Sequence, residues 1–385
     1  MKYEIYSLKP IQLSSVKNFA ALHPMFQLKE EKISKDFQKQ IDAAKQIVVC
    51  GMGGSVLPLK ALVDAAGLHR KISFLATVDG FFFDSFFEQH KEAVFCIVSK
   101  SGETLEVKDI LAELLHRNLE SQLLVVTDLQ NGSLRQWAEK NKIPSCPIPA
   151  NIGGRFTNFI AFHQLLLKHF GCDTTKLMDI AQKRCAQLKE EPSLLEELYQ
   201  LLFTAQISGL VLWAYGSRLD GLALWIQQAL AESLGKKTAS GCRHGILPTV
   251  LKGPQDQHSV LQLLRDGPQN KLIWFLTPYG AKAIQKRQLP ELCRGLEEKS
   301  SDQILEVLAQ ATFMSFRERV SNPEESQNLI RWQFSSDELL ENVVEAIVTI
   351  QAFVEYAGQR LEIDAFNQPG VERGKELTKE LLSTN

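Results

Sequence analysis

The stretch QIVVCGMGGS, residues 46–55, decides how the chain folds. Ile47, Val48, Val49 and Cys50 form an apolar run without polar alternation, as expected of a parallel strand covered on both faces. Glycines follow at positions 51, 53 and 54, and then an apolar helical stretch over residues 56–66. A strand, a glycine turn and a helix in this order let backbone N–H groups approach an anion at the helix N-terminus. A dinucleotide fingerprint G-x-G-x-x-G would need glycine at position 56, where the chain has Val56. Spacing alone therefore leaves the ligand open.

The pattern repeats downstream. Residues 72–77, 94–98 and 123–127 read as further strands and residues 133–140 as a helix. The third strand runs into SKSGET, residues 99–104, followed by Val107, Ile110, Leu111, Leu114 and Leu115 at helical spacing. Ser101 fits an N-cap with Glu103 in the first turn. Ser99, Ser101 and Thr104 either cap that helix or, with backbone N–H groups, hold a phosphate. Alternating β and α units over about 100 residues specify a doubly wound parallel α/β sheet, with ligands at the C-terminal strand ends. In NIGGRFTNF, residues 151–159, Gly153 and Gly154 allow a sharp turn that presents Arg155 between apolar Ile152 and Phe156. A guanidinium in such surroundings needs an anionic partner.

Residues 1–44 are polar and read as helical, with a charged amphipathic segment at 29–39. Residues 173–206 are charged and helical and carry the inter-domain boundary. Residues 210–215 are another apolar strand ending in Gly216 and Ser217, which echoes residues 50–55 and suggests two copies of one architecture. The expected division is a helical segment 1–44, a first domain 45–175, and a second domain 176–385 that includes C-terminal helices. The next helix carries WIQQALAESLGKK, with Gln228 and Glu232 four apart on one face. The simpler reading of Glu232 is an ion pair with Lys236, which Gly235 opposes by ending the helix. GPQDQHSVLQLL, residues 253–264, places His258 between a polar turn and an amphipathic helix. Residues 272–276 and 327–334 read as strands and 281–310 as mostly helix. Residues 337–361 read as a helix opened by a capping box from Ser335 to Glu338. After it comes FNQPGVERGK, residues 366–375, where Pro369 and Gly370 break the chain before a last helix. That helix puts Glu372 and Lys375 on one face, where spacing alone suggests a solvated pair.

Composition bounds the function. Of 385 residues 44% are hydrophobic and 23% charged, ordinary for a globular protein with room for two cores. A net charge of −2 gives no nucleic-acid footprint. The segment MKYEIYSLKPIQLSS lacks the apolar core of a signal peptide, and no run approaches membrane-spanning length. Seven cysteines without close pairing fit reduced thiols in a cytoplasm, and eight histidines show no metal-ligand spacing. The expectation is a metal-free cytoplasmic protein, unless a metal site is assembled from distant residues.

Six strings occur in one order: GMGGS, SKSGET, IGGRFT, QQALAESLGK, QHSVLQLL and FNQPGVERGK, from Gly51 to Lys375. Together they resemble the glucose-6-phosphate isomerase family of the sugar isomerase (SIS) fold. The resemblance implies two SIS-type αβα sandwich domains with a C-terminal helical extension, in a homodimer with a shared active site. It implies an aldose-ketose isomerase that needs no cofactor, with Glu232 moving a proton between C1 and C2 and Arg155 beside the developing enediolate. His258, reaching in from the partner subunit, and Lys375 would assist ring opening. Gly54, Ser55, Ser99, Lys100, Ser101 and Thr104 would bind the sugar and its phosphate, and Gln228 the substrate. The chain departs from the family pattern at Leu234, where asparagine is common, and at Asn367, where aspartate is common. Asp256, before QH, puts a carboxylate near His258, and the chain is shorter than most members. Alternatives are an isomerase that also accepts mannose 6-phosphate, a non-catalytic SIS-domain sugar-phosphate sensor, and a dinucleotide-dependent oxidoreductase that would need the missing glycine.

Overall fold

The computed structural model describes residues 1–6, 33–204, 207–318 and 328–384. A strand β1 (Lys2–Tyr6) comes first, then helix α1 (Lys35–Ala43). The first half alternates β2 (Ile47–Cys50), α2 (Leu57–Ala65), β3 (Ile72–Leu75), α3 (Gly80–Gln89), β4 (Val94–Ser99), α4 (Leu105–His116), β5 (Leu123–Asp128), α5 (Ser133–Lys140) and β6 (Ser145–Ile148). Helices α6 (Ala161–His169), α7 (Thr174–Glu190) and α8 (Ser193–Tyr199) lead on. The second half runs β7 (Gly209–Tyr215), α9 (Asp220–Leu234), a small hairpin β8 (Lys236–Lys237) and β9 (Arg243–His244), β10 (Pro248–Gly253), α10 (Leu261–Asp266), β11 (Lys271–Tyr279), α11 (Ser301–Arg317) and β12 (Asn328–Ser335). Helices α12 (Leu339–Arg360) and α13 (Glu372–Thr384) close the chain.

The first sheet is fully parallel, in the order β3-β2-β4-β5-β6. The second reads β10-β7-β11-β12-β1, parallel except for β1, which pairs antiparallel with β12. Ranked within each half, both sheets follow 2-1-3-4-5, with β1 in the fifth place of the second. The echo between residues 50–55 and 215–217 is thus a repeat of strand order.

Alternation along each strand builds the sandwich. In the first sheet Val49, Cys96, Val98 and Val126 face α1, α2 and α6, while Val48, Cys50, Ile97 and Val125 face α3, α4 and α5. In the second, Leu212, Trp274 and Trp332 face α9 and α12, while Trp213, Ile273 and Phe275 face α10 and α11. One apolar cluster therefore runs from β2 to β12 and joins the two halves. Its centre is α12, in which every residue from Ala346 to Gly358 is buried. A helix apolar on all sides has no solvent face to offer. Of the polar side chains buried there, Thr349 Oγ1 donates to the Glu345 carbonyl at 2.7 Å and Gln351 Nε2 to Asn158 Oδ1 at 2.9 Å, while Gln351 Oε1 is without a hydrogen-bond partner among the described residues. Helices α2 and α9 cross so closely that a Cβ on Gly221 would lie 2.7 Å from the Lys60 carbonyl oxygen.

Several sequence expectations are corrected. The start of residues 1–44 is a strand, favoured by Tyr3, Ile5 and Tyr6 and fixed by the Met1 ammonium, which donates to Glu345 Oε2 at 2.5 Å. The remainder up to residue 32, with part of the charged segment 29–39, lies outside the described residues. Strands β6 and β10 were not foreseen: both are sheet edges containing proline, which blurs a strand pattern. Residues 281–310 are helical only from Ser301, because Pro290 and the positive-φ Gly280 and Gly295 break the earlier part. The capping box belongs there, between Ser300 and Gln303. At the start of α12 none forms, since Ser335 ends β12 and its N–H donates to Asn342 Oδ1 at 2.7 Å. Nor does Ser101 cap α4: the helix begins behind Thr104, and Ser101 Oγ accepts from the Glu103 N–H in the preceding turn. Among the described residues no helix is long and apolar enough to cross a membrane.

Phe353, fully buried in α12, tests the shared layer. Truncation to alanine is expected to lower the unfolding free energy by about 3–5 kcal/mol, read from urea denaturation followed by tryptophan fluorescence.

Candidate active site

A 2-1-3-4-5 sheet reverses its winding between its first and third strands, and ligands settle outside the C-terminal ends there. In the first half those strands are β2 and β4. The turns leaving them, Met52 to Ser55 and Lys100 to Thr104, line a cavity of about 480 Å³. Asp128 at the end of β5 and Asn131 beyond it, Gly154 and Arg155 after β6, Gln228 and Glu232 on α9, and Gln368, Val371 and Lys375 near the C-terminus complete the wall.

The turn after β2 and the one after β6 touch backbone to backbone. A Cβ on Gly54 would stand 2.6 Å from the Arg155 nitrogen and 2.9 Å from the Gly154 carbonyl carbon. Only glycine permits this approach. Trp225 of α9 holds the same turn from below, its Nε1 donating to the Arg155 carbonyl at 2.7 Å.

Arg155 is buried, with 4% of its side chain exposed, and all five of its N–H groups are used. Nε donates to Ser233 Oγ at 2.9 Å. Nη1 donates to Glu232 Oε2 and to Gln368 Oε1, each at 3.0 Å. Nη2 donates to the carbonyls of Ala365 and Asn367, each at 3.0 Å. Burial lowers the guanidinium pKa while Glu232 raises it. The partly exposed Glu232 also accepts from Gln228 Nε2 at 3.0 Å, the contact that i,i+4 spacing on α9 prescribes. Its ion pair is with Arg155 and not with Lys236, because α9 ends at Leu234. Gln228 Oε1, by contrast, is buried without a hydrogen-bond partner among the described residues.

Other expected residues divide between lining and support. Gly54, Ser55, Lys100, Ser101, Thr104 and Lys375 line the cavity. Ser99 does not; it is buried, its hydroxyl 3.0 Å from Thr104 Oγ1 and accepting from the Gly102 N–H. Lys100 Nζ donates to the carbonyls of Ala150 (2.8 Å) and Ile152 (2.5 Å), and burial lowers its pKa against the pull of Asp128. Lys375 is exposed on α13 and pairs with Glu372 Oε1 at 2.8 Å. The geometry joins one carboxylate and one buried cation at the edge of an open cavity flanked by two more ammonium groups. Such an arrangement suits proton abstraction next to a developing oxyanion on an anionic substrate.

No protein-family model matches the chain. It is 30% identical over 374 residues to a glucose-6-phosphate isomerase of Campylobacter jejuni, spanning 91% of this chain and 88% of the relative. The chain belongs to the glucose-6-phosphate isomerase family. It is by that membership a sugar-phosphate isomerase. A second member, from Methanocaldococcus jannaschii, is 27% identical over 90% of this chain and 86% of its own. Among solved structures, a hypothetical protein from Thermus thermophilus superimposes with a TM-score of 0.78 at 28% identity, covering 90% of this chain and 87% of that one. A glucose-6-phosphate isomerase from Chlamydia trachomatis gives 0.70 at 18% identity over 91% and 72%, a likeness of fold.

His258 is not among the residues lining the cavity of its own chain. It sits exposed in a short turn (Gln255–His258) beyond edge strand β10. Asp256, suspected of acting on it, is otherwise engaged: its carboxylate accepts from the Lys252 N–H and from Ser259 Oγ, each at 2.7 Å. The sequence reading missed Gln368, although it lies in the FNQPG string. Asp128 and Asn131 were missed too, their signal being the end of a parallel strand. The N–H groups of Gly280 and Ala281, just beyond β11, donate to the carboxylate of Glu306 from α11 at 3.2 and 3.0 Å.

Gly54→Ala is expected to push the Arg155 turn aside and lower isomerase turnover by about 10²-fold, with far-UV circular dichroism unchanged.

Proposed function

We propose that the chain interconverts D-glucose 6-phosphate and D-fructose 6-phosphate through a cis-enediolate. The observation that carries this reading is the 3.0 Å contact between Arg155 Nη1 and Glu232 Oε2 at the wall of the cavity below β2 and β4. Glu232 removes the proton from C2 of the open-chain aldose; the C2–H electrons form the C1=C2 bond and charge moves onto O1. The O2 hydroxyl proton passes to O1, and as the C2 carbonyl forms the same carboxylate returns the carbon-bound proton to C1, so no second acid is needed at carbon. Arg155 keeps its charge throughout and stabilises the oxyanion without neutralising it. Its Nη1 is shared with the neutral Gln368 amide oxygen, a weaker competitor than an enediolate oxygen.

Gly54, Ser55, Lys100, Ser101 and Thr104 receive the sugar and its phosphate, with Ser99 shaping their turn, and Gln228 contacts the substrate. Grip on the remote phosphate supplies binding energy for orienting C1 and C2. His258 of a partner subunit and Lys375 open the ring, in a homodimer with shared sites; exposure of His258 at a sheet edge supports this division. We read residues 45–175 and 176–385 as the two SIS domains, and place the enzyme in the cytoplasm, in glycolysis and gluconeogenesis.

A coupled assay with fructose 6-phosphate tests the reading, with mannose 6-phosphate as the competing substrate. Glu232→Gln is expected to lower kcat by about 10²–10⁴-fold with little change in affinity for a substrate analogue. Normal turnover in that variant would remove Glu232 from its role. Verified heterodimers of Glu232→Gln and His258→Ala subunits should regain part of the activity; none regained would mean that each subunit's site is complete. No step calls on a metal, so dialysis against a chelator should leave turnover unchanged.

A further inference from the structure

Lys236 is the first residue beyond α9 and Gly235, on β8 opposite His244. Its Nζ has three acceptors: the carbonyls of Asp364 and Asn367, each at 2.5 Å, and Asn367 Oδ1 at 3.0 Å. An ammonium has three N–H groups, so this count is complete. The Asn367 carbonyl also receives Arg155 Nη2, which puts two cations on one oxygen. These carbonyls lie on the segment that carries Gln368 into the cavity and continues to Lys375. Beyond this clamp the segment is held by Arg155, which donates to Ala365, Asn367 and Gln368, by Ala365, packed against Gly358, and by Phe366 against the Phe156 ring.

We propose that Lys236 is a positioning residue that clamps residues 364–368, so that Gln368 and Lys375 are already placed when substrate arrives. The inference rests on the isomerase reading above. All three acceptors are neutral oxygens, so the clamp is a charge held by dipoles. The charged groups facing it are Arg155 from the turn after β6, Glu232 from α9 and Asp364 from the clamped segment, with His244 across the hairpin. Burial chiefly, and then Arg155, bring the ammonium down to about 8, against the upward pull of Asp364 and Glu232. As pH rises through that value Nζ loses its charge and one of its three N–H groups. The segment then loosens, and substrate binding must order it again. A binding-competent fraction that falls raises KM and leaves kcat at saturation nearly unchanged.

The test uses full-length wild type, Lys236→Met, Lys236→Arg and Asn367→Asp. For Lys236→Met, KM for fructose 6-phosphate should rise about tenfold with kcat within about threefold, and Lys236→Arg should restore most of it. A merely structural role would lower the melting temperature and the active fraction without moving KM. Between about pH 7 and about pH 10, wild-type KM should climb above about pH 8, stay flat in Lys236→Arg, and climb at higher pH in Asn367→Asp, whose carboxylate pairs with the ammonium. Amide exchange at residues 364–375 should quicken in Lys236→Met. Unchanged KM and exchange in that variant would overturn the proposal. If Lys236→Met does not fold, identical KM–pH profiles in the other three would overturn it. A wild type without isomerase activity would sink the functional reading, while the exchange measurement still decides the clamp.

Discussion

One buried guanidinium organises this molecule. An arginine removed from water is tolerable only when its N–H groups find acceptors and its charge finds a counter-charge. Arg155 draws them from separate parts of the chain: Glu232 and Ser233 from the end of α9, and Ala365, Asn367 and Gln368 from the segment after α12. Removing any one acceptor would leave a buried donor unmatched. The requirement that stabilises the cation therefore also fixes the relative positions of the carboxylate, the C-terminal segment and the turn after β6.

That assembly depends on how the two sheets share a layer. Because α2, α9 and α12 lie in one apolar cluster spanning β2 to β12, the end of α9 is delivered to the strand ends of the other half. The glycine at 221 lets α9 approach α2, and the glycine at 54 lets the turns after β2 and β6 meet. Neither contact involves substrate, yet both set where Glu232 stands relative to the cavity.

Legibility in the sequence followed burial. Apolar runs such as residues 47–50 and 123–127 announced buried strands, and the i,i+4 spacing of Gln228 and Glu232 announced a shared face that their hydrogen bond bears out. Arg155 announced its need for an anion through its apolar flanks, but not which anion, since residues 155 and 232 meet only through tertiary folding. Edge strands β6 and β10 gave little signal, since proline and partial exposure dilute the pattern. The capping box read at Ser335 failed because strand pairing with β11 claimed that residue first. Lys236 looked like a partner for Glu232, and only the end of α9 and the path of the chain after α12 direct it elsewhere.

The carboxylate of Glu306 sets the halves apart. Two modules with the same winding would ordinarily offer two equivalent landing places for an anion. In the second, an acidic side chain from α11 already satisfies the amides beyond β11, so that module arrives with its own counter-ion built in. Symmetry of winding thereby coexists with a difference in charge at the matching turns: amides that meet a cavity in the first module meet a carboxylate of the protein itself in the second.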